Sequence, residues 1–119
     1  MSAPVDLNKI DIEPAQLAGL LAAEARGVQV IDVREPYERE AGHIAGTRHI
    51  PMAALSEQAA TLQKERPVIF YCRVGARSTM AAQAFRAAGF QALSMSGGLV
   101  RWADEKRPLE PADGYVADH

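Results

Sequence analysis

The first apolar pattern along the chain predicts a helix followed by a buried strand. Between a proline at position 14 and a glycine at position 27, apolar residues recur at helical spacing: Leu17, Leu20, Leu21 and Ala25. Proline suits the first turn of a helix and glycine the residue after its end, so the helix is expected between them. The next segment, VQVIDV at 28–33, is short, β-branched and apolar at consecutive positions, which is typical of a strand covered on both faces.

The remaining apolar segments continue the alternation of helices and strands. TRHI at 47–50 and PVIFY at 67–71 predict two strands. An amphipathic helix is predicted between them from the spacing of Met52, Leu55, Ala59 and Leu62. A further helix is predicted from about Ser78 to Gly89, with apolar positions Met80, Ala81, Ala84, Phe85 and Ala88. FQALSM at 90–95 predicts the last strand.

This order predicts an α/β domain with a mostly parallel sheet. Parallel neighbours need crossover connections, and helices that provide them cover both faces of the sheet. The 119 residues suit one compact core. We expect a single domain at 1–107 and a loosely attached C-terminal extension at 108–119, because the last segment combines prolines, a glycine and mixed polarity.

The chain contains no apolar run that could cross a bilayer and no signal-peptide pattern, so a cytoplasmic location without membrane association is expected.

Charge distribution points to one segment as the candidate functional region. A net charge of −2 argues against nucleic acid as a partner. However, residues 66–103 contain five arginines and no acidic residue, which leaves −7 on the rest of the chain. A small anionic ligand is therefore expected in this segment.

The only cysteine of the chain, Cys72, lies in this basic segment. An internal disulfide is impossible, and the histidines and the cysteine do not have zinc-site spacing, so neither a metal nor another cofactor is expected. In parallel α/β sheets, ligands bind beyond the carboxyl ends of the strands. Cys72 follows the strand at 67–71 and is expected at such an end. The next helix is expected to begin near Ser78, with Ser78 as its cap.

The residues that follow Cys72 favour a negative charge on its sulfur. Backbone N–H groups of a short loop can surround the sulfur while the positive end of the next helix points towards it. Gly75 permits the tight or left-handed turn that such a loop requires. With arginines at 73 and 77, the thiolate is favoured, and Cys72 is a candidate nucleophile. The alternative is an inert cysteine buried at a strand end, with solvated arginines beside it.

Three motifs in order resemble those of single-domain rhodaneses, which are thiosulfate sulfurtransferases. CRVGARS at 72–78 resembles the active-site loop of this family, and VIDVREPYEREAGHIAGTRHIP at 30–51 resembles its N-terminal signature. SGGLVRW at 96–102 also matches, through Gly97, Gly98 and Trp102. The resemblance spans about residues 6–107. It implies a three-layer α/β/α fold with a central, mostly parallel five-stranded sheet.

The resemblance also implies a mechanism. Cys72 would attack the outer sulfur of thiosulfate, or of a related persulfide or polysulfide, keep it as a persulfide, and pass it to a thiol or cyanide. Arg73 and Arg77 would hold the sulfonate of the donor. The negative charge of the persulfide would be stabilised by the backbone amides of Val74, Gly75, Ala76 and Arg77. The donor and acceptor are the only partners expected, and a monomer is expected because no exposed apolar stripe is evident.

Two alternatives to the sulfurtransferase hypothesis remain. The first is a cysteine-dependent phosphatase or arsenate reductase, which also binds a tetrahedral anion in a loop of amides. Four residues separate Cys72 from Arg77, whereas phosphatases related to rhodanese by fold have five and a larger loop. The second alternative is a non-catalytic rhodanese-like sulfur carrier or sensor, and the presence of Cys72 in its basic loop argues against it.

Other motif residues are expected to stabilise the structure. Asp32 and Arg34 follow a strand and are expected to fix neighbouring loops through hydrogen bonds and charge pairing. Pairing with the loop arginines is expected for Glu35 and Glu38. Hydrogen bonding to the surrounding loops or packing on the sheet edge is expected for His43, His49 and Trp102.

Overall fold

The structure is a computed structural model that describes residues 5–23 and 27–119. In this part of the chain, strands and α-helices occur in the order β1 (Asp11–Ile12), α1 (Pro14–Ala22), β2 (Gln29–Asp32), α2 (Pro36–Ala41), β3 (Arg48–His49), α3 (Leu55–Gln58), β4 (Val68–Tyr71), α4 (Ala76–Ala87), β5 (Ala92–Met95) and α5 (Gly98–Asp104). Two 3₁₀ turns, Met52–Ala54 and Ala59–Thr61, flank α3.

The five strands form one parallel sheet in the order β1-β5-β4-β2-β3. β4 is central and pairs with β2 from Gln29 opposite Val68 to Asp32 opposite Tyr71. The carboxyl ends of these two strands therefore lie side by side. The predicted α/β fold with a central parallel sheet of five strands is confirmed.

Alternate residues of β4 face two separate parts of the core. Ile69 and Tyr71 pack with residues of α1 and α5, whereas Val68, Phe70 and Cys72 pack with residues of α3 and α4. All four residues of β4 are fully buried. The continuous apolar run that predicted this strand reflects burial on both faces.

The helix that follows Cys72 differs from the prediction in its start and in its buried face. α4 begins at Ala76, and its N-cap is Gly75 in a left-handed conformation with φ 112°, so the prediction of Ser78 as the cap is wrong. Met80 is 62% exposed, and Ala84 and Ala88 are also exposed. The buried residues of α4 are instead Ser78, Ala81, Ala82 and Phe85.

Two other helix predictions also need correction. The single amphipathic helix expected over Met52–Leu62 is wrong, because Ala54 and Gln58 adopt ψ values of −5° and −3°, which interrupt the regular helix. α1 ends at Ala22, and Ala25, expected on the same helix, lies outside the described residues. The helix α2 and the two-residue strand β1 had no apolar periodicity to predict them.

The C-terminal segment is attached more firmly than predicted. The indole N–H of Trp102, which is buried as expected, donates to the carbonyl of Pro108 at 2.8 Å. His43 and Glu110 exchange two backbone hydrogen bonds of 3.0 and 2.8 Å, and the N–H of Tyr115 donates to a carbonyl of α2 at 2.9 Å. Leu109 and Val116 pack against the core. The prediction of loose attachment is therefore wrong for residues 108–116.

Candidate active site

Cys72 lies directly beyond the carboxyl end of β4, where its sulfur accepts hydrogen bonds from the loop. The N–H of Gly75 donates to Sγ at 3.1 Å and the N–H of Ser78 at 3.4 Å. The residue is only 1% exposed, so the sulfur is buried but faces backbone donors. The contact with Gly75 was predicted, whereas the contact with Ser78 was not. The role of the other loop amides, those of Val74, Ala76 and Arg77, stays a prediction.

The N-terminus of α5 holds the start of this loop. The N–H of Leu99 donates to the carbonyl of Cys72 at 2.8 Å, and that of Val100 donates to the carbonyl of Arg73 at 3.0 Å. Gly98 permits this approach, because a Cβ at Gly98 would lie 2.4 Å from the carbonyl oxygen of Arg73, and its φ is +60°. Gly98, Leu99 and Val100 therefore position the cysteine loop from the adjacent strand end.

Buried hydroxyl groups adjoin the sulfur on the side of α4. Ser78 Oγ lies 3.4 Å from Cys72 Sγ and 2.7 Å from Ser94 Oγ. Thr79 Oγ1 donates to Ser94 Oγ at 3.3 Å. Ser94 is not among the site residues predicted from the sequence, and the only signal for it is a single hydroxyl residue within the apolar run of β5.

Arg77 forms a bidentate ion pair with Glu38 of α2. Its Nη1 and Nη2 lie 2.8 and 3.0 Å from the two carboxylate oxygens, and Glu38 is fully buried. Burial raises the pKa of Glu38, but hydrogen bonds from Arg77 and from the N–H of Glu35, together with the charge of Arg77, lower it below its ordinary value overall. The expected pairing with a loop arginine is confirmed for Glu38, whereas Glu35 caps α2.

Arg73 is the more accessible of the two loop arginines. Its side chain is 33% exposed, and its Nη2 lies 3.3 Å from a carboxylate oxygen of Asp118, which is itself almost completely exposed. Nε of Arg73 has no hydrogen-bond partner among the described residues. Arg73 also lines a cavity of about 380 Å³ between the loop, α5 and the C-terminal segment. Because Nε is buried, the partly exposed remainder of the side chain is the part that an anion can reach.

Asp32 and Arg34 form a fully buried ion pair beside the loop. Nε and Nη2 of Arg34 each donate to the Asp32 carboxylate at 2.8 Å, and Nη2 also donates to the carbonyl of Gly42 at 2.7 Å. Burial lowers the pKa of Arg34, but the hydrogen bond and charge of Asp32 raise it overall. His49 Nε2 lies 2.7 Å from the carbonyl of Arg34, and His43 Nδ1 lies 3.0 Å from a carbonyl of α2. All four residues fix loops, as expected.

Residues 5–23 and 27–119 contain no group of three or more His, Cys, Asp or Glu side chains arranged to hold a metal ion. No helix in these same ranges has the length and apolar content needed to cross a membrane.

The fold and the loop define a cysteine-centred parallel α/β domain, and comparison with known proteins identifies its family. The family described as "Rhodanese-like domain" matches residues 13–105. A sulfurtransferase of Allochromatium vinosum is 32% identical and is matched over 91% of this chain and 99% of its own length. Thiosulfate sulfurtransferase GlpE of Pseudomonas aeruginosa is 34% identical over 86% of this chain and 87% of its own. The chain therefore belongs to the rhodanese-like domain family.

A solved structure has the same fold. The crystal structure of BH2092 protein from Bacillus halodurans is 29% identical, with a TM-score of 0.82 over 93% of this chain and 83% of that one.

Some relatives are longer than this chain. Uncharacterized protein YqhL of Bacillus subtilis is 41% identical over 65% of this chain. The match covers 62% of YqhL and 25% of the probable adenylyltransferase/sulfurtransferase MoeZ of Mycobacterium tuberculosis, so the chain spans less than two thirds of either.

Proposed function

We propose that this protein moves a sulfane sulfur from thiosulfate, or from a related persulfide or polysulfide, to a thiol or cyanide through a persulfide on Cys72. The observation that supports the proposal is that Cys72 Sγ, beyond the end of β4, accepts hydrogen bonds from the backbone N–H groups of Gly75 and Ser78. Backbone donors and the N-terminus of the 12-residue helix α4 stabilise negative charge at this position. Both the thiolate and the persulfide carry that charge.

The proposed reaction consists of two transfers of sulfur. The Cys72 thiolate forms a bond to the outer sulfur of thiosulfate, and the sulfur–sulfur bond of the donor breaks. The electron pair of that bond leaves with sulfite, while the new terminal sulfur keeps one negative charge. Cyanide or a thiolate then takes the terminal sulfur and restores the Cys72 thiolate. Charge balances in each transfer, so neither step needs an oxidant or a general acid.

We assign the two arginines different parts in donor binding. Arg73 binds the sulfonate directly, because its side chain is partly exposed and its ion-pair partner Asp118 is almost completely exposed. Arg77 contributes its charge from a fixed position, since both of its terminal nitrogens are bonded to Glu38. The burial of Glu38 stabilises this orientation of the Arg77 side chain.

Thiocyanate release from thiosulfate and cyanide tests the reaction. Activity in the wild type that is lost in Cys72→Ala supports the proposal. A wild type that is inactive with thiosulfate, polysulfide and glutathione persulfide rejects it and favours a non-catalytic sulfur carrier.

Donor preference tests the role of Arg73. Arg73→Ala is expected to reduce use of thiosulfate about tenfold or more while it affects polysulfide much less, because only thiosulfate presents a sulfonate. Arg48→Ala is the matched control, since Arg48 is an exposed arginine on β3 that is bonded to Gln58. Equal losses with both donors in Arg73→Ala reject a sulfonate-binding role.

A further inference from the structure

Three hydroxyl groups form a continuous path from the edge of α4 to the sulfur of Cys72. Thr79 Oγ1 lies 3.3 Å from Ser94 Oγ, Ser94 Oγ lies 2.7 Å from Ser78 Oγ, and Ser78 Oγ lies 3.4 Å from Sγ. Thr79 is partly exposed, whereas Ser78 is fully buried and Ser94 is 2% exposed. Ser94 is the polar residue in a strand whose other members are apolar.

We propose that Ser94 is a positioning residue for the chemistry of Cys72. It directs the hydroxyl proton of Ser78 towards Sγ when that sulfur is a thiolate or a persulfide. The inference rests on the proposed function, because that function requires a stable negative charge on the sulfur in both states. It adds a residue from β5 to a site otherwise built from the cysteine loop and α4.

The direction of the hydrogen bonds follows from the number of protons available. Each hydroxyl group has one proton to donate. Thr79 donates to Ser94, so the proton of Ser94 is directed to its other hydroxyl partner, Ser78. Ser78 therefore accepts from Ser94 and does not donate to it. The proton of Ser78 then has two acceptors, the carbonyl of Gly75 at 3.2 Å and the sulfur of Cys72 at 3.4 Å.

The charge on sulfur decides between these two acceptors. A charged acceptor forms a stronger hydrogen bond than a neutral one, so a thiolate or persulfide attracts the Ser78 proton. Without the Ser94 hydroxyl, the buried oxygen of Ser78 loses the donor that satisfies it. The S–H of a neutral Cys72 is then the nearest replacement donor, which favours the thiol over the thiolate.

The charged groups around Cys72 are unchanged by a substitution at Ser94. On α4, Arg77 is paired with Glu38 of α2. On the loop, Arg73 faces Asp118, and Asp104 of α5 lines the same cavity as Arg73. β5 contains no titratable residue. On β4, the adjacent tyrosine packs on the opposite face of the sheet. A change in the pH dependence of Cys72 therefore reports on the hydroxyl path.

The test is the rate of alkylation by iodoacetamide as a function of pH. Cys72 is the only cysteine, so the reaction reports on this residue alone. Ser94→Ala is expected to lower the rate about two- to tenfold on the low-pH side of the profile and to reach the wild-type plateau at high pH. Ser94→Thr, which keeps the hydroxyl, is expected to restore the low-pH rate. Thr79→Val removes the outer donor at a partly exposed position and is expected to give a smaller change in the same direction.

Ser96→Ala is the matched control. It removes a hydroxyl just beyond the end of the same strand that is bonded to Asp11 instead of to this path. A merely structural role for Ser94, such as attachment of α4 to β5, predicts a lower melting temperature without a change in the alkylation profile. A wild-type profile in Ser94→Ala overturns the proposal, as does an equal shift in Ser96→Ala.

The alkylation measurement uses no sulfur donor, so its outcome is separate from that of the sulfurtransferase assay. A shifted profile in Ser94→Ala supports the positioning role even in a protein that releases no thiocyanate, a result that rejects only the proposed function. An unshifted profile in a protein with full thiocyanate release rejects only the positioning role.

Discussion

Glu38→Gln tests whether one buried carboxylate holds the cysteine loop through Arg77. The substitution keeps the shape of the side chain but removes its charge and one of its two strong acceptors. Removing one partner of a fully buried ion pair costs about 3–5 kcal/mol. Because the Arg77 side chain is 19% exposed, water compensates part of this loss, and we expect a decrease of about 2–3 kcal/mol in the free energy of unfolding. For a chain of this length, that decrease lowers the melting temperature by about 8–12 °C.

The pH dependence of this effect has a definite sign. The folded state lowers the pKa of Glu38, so the ionised carboxylate stabilises the fold above the pKa of the unfolded chain. That stability is lost as the pH falls through the folded-state pKa. The difference in melting temperature between wild type and Glu38→Gln is therefore largest near neutral pH and shrinks in acid.

Calorimetric melts over a series of acidic to neutral buffers measure this difference. Glu40→Gln is the matched control, because Glu40 carries an exposed carboxylate on the same helix. It is expected to melt with the wild type. A Glu38→Gln variant that melts like Glu40→Gln at neutral pH, or whose deficit stays constant in acid, refutes the reasoning.

Three further substitutions test the cysteine loop, the exposed face of α1 and the core. Gly98→Ala is expected to reduce thiocyanate release at least about tenfold, because its Cβ would lie 2.4 Å from the Arg73 carbonyl oxygen; wild-type activity contradicts this. Gly19→Ala has nothing within 4 Å of its Cβ and is expected to raise the free energy of unfolding by about 0.5–1 kcal/mol without loss of activity. Burial and the charge of Asp32 raise the pKa of Tyr71 to about 12, so stability is expected to fall above the ordinary value of 10.0. Denaturant unfolding in alkaline buffers is expected to show no such fall in Tyr71→Phe.

Features encoded by local sequence could be predicted. β4 is a short continuous apolar run and β2 contains the consecutive apolar residues Val30 and Ile31, because both faces of these strands are buried, and this pattern is visible without knowledge of the fold. The position of Cys72 at the end of β4, with a glycine and a helix after it, also follows from adjacent residues. Together these features placed the candidate nucleophile, Cys72, and the Gly75 amide that faces it.

Features that depend on distant parts of the chain could not be predicted in detail. Either Glu35 or Glu38 was a plausible partner for the loop, and only the docking of α2 selects Glu38 for Arg77, 39 positions away. Ser94 approaches Ser78 because β5 pairs with β4, and the sequence does not specify that register. The attachment of the C-terminal segment likewise depends on apolar side chains that have no local periodicity.

An intact mass after treatment with a sulfur donor tests the central claim most directly. The persulfide proposed on Cys72 predicts a gain of about 32 Da after incubation with thiosulfate, reversal by cyanide, and no gain in Cys72→Ser. A wild type whose mass is unchanged by thiosulfate, polysulfide and glutathione persulfide, or a gain of the same size in Cys72→Ser, contradicts the account.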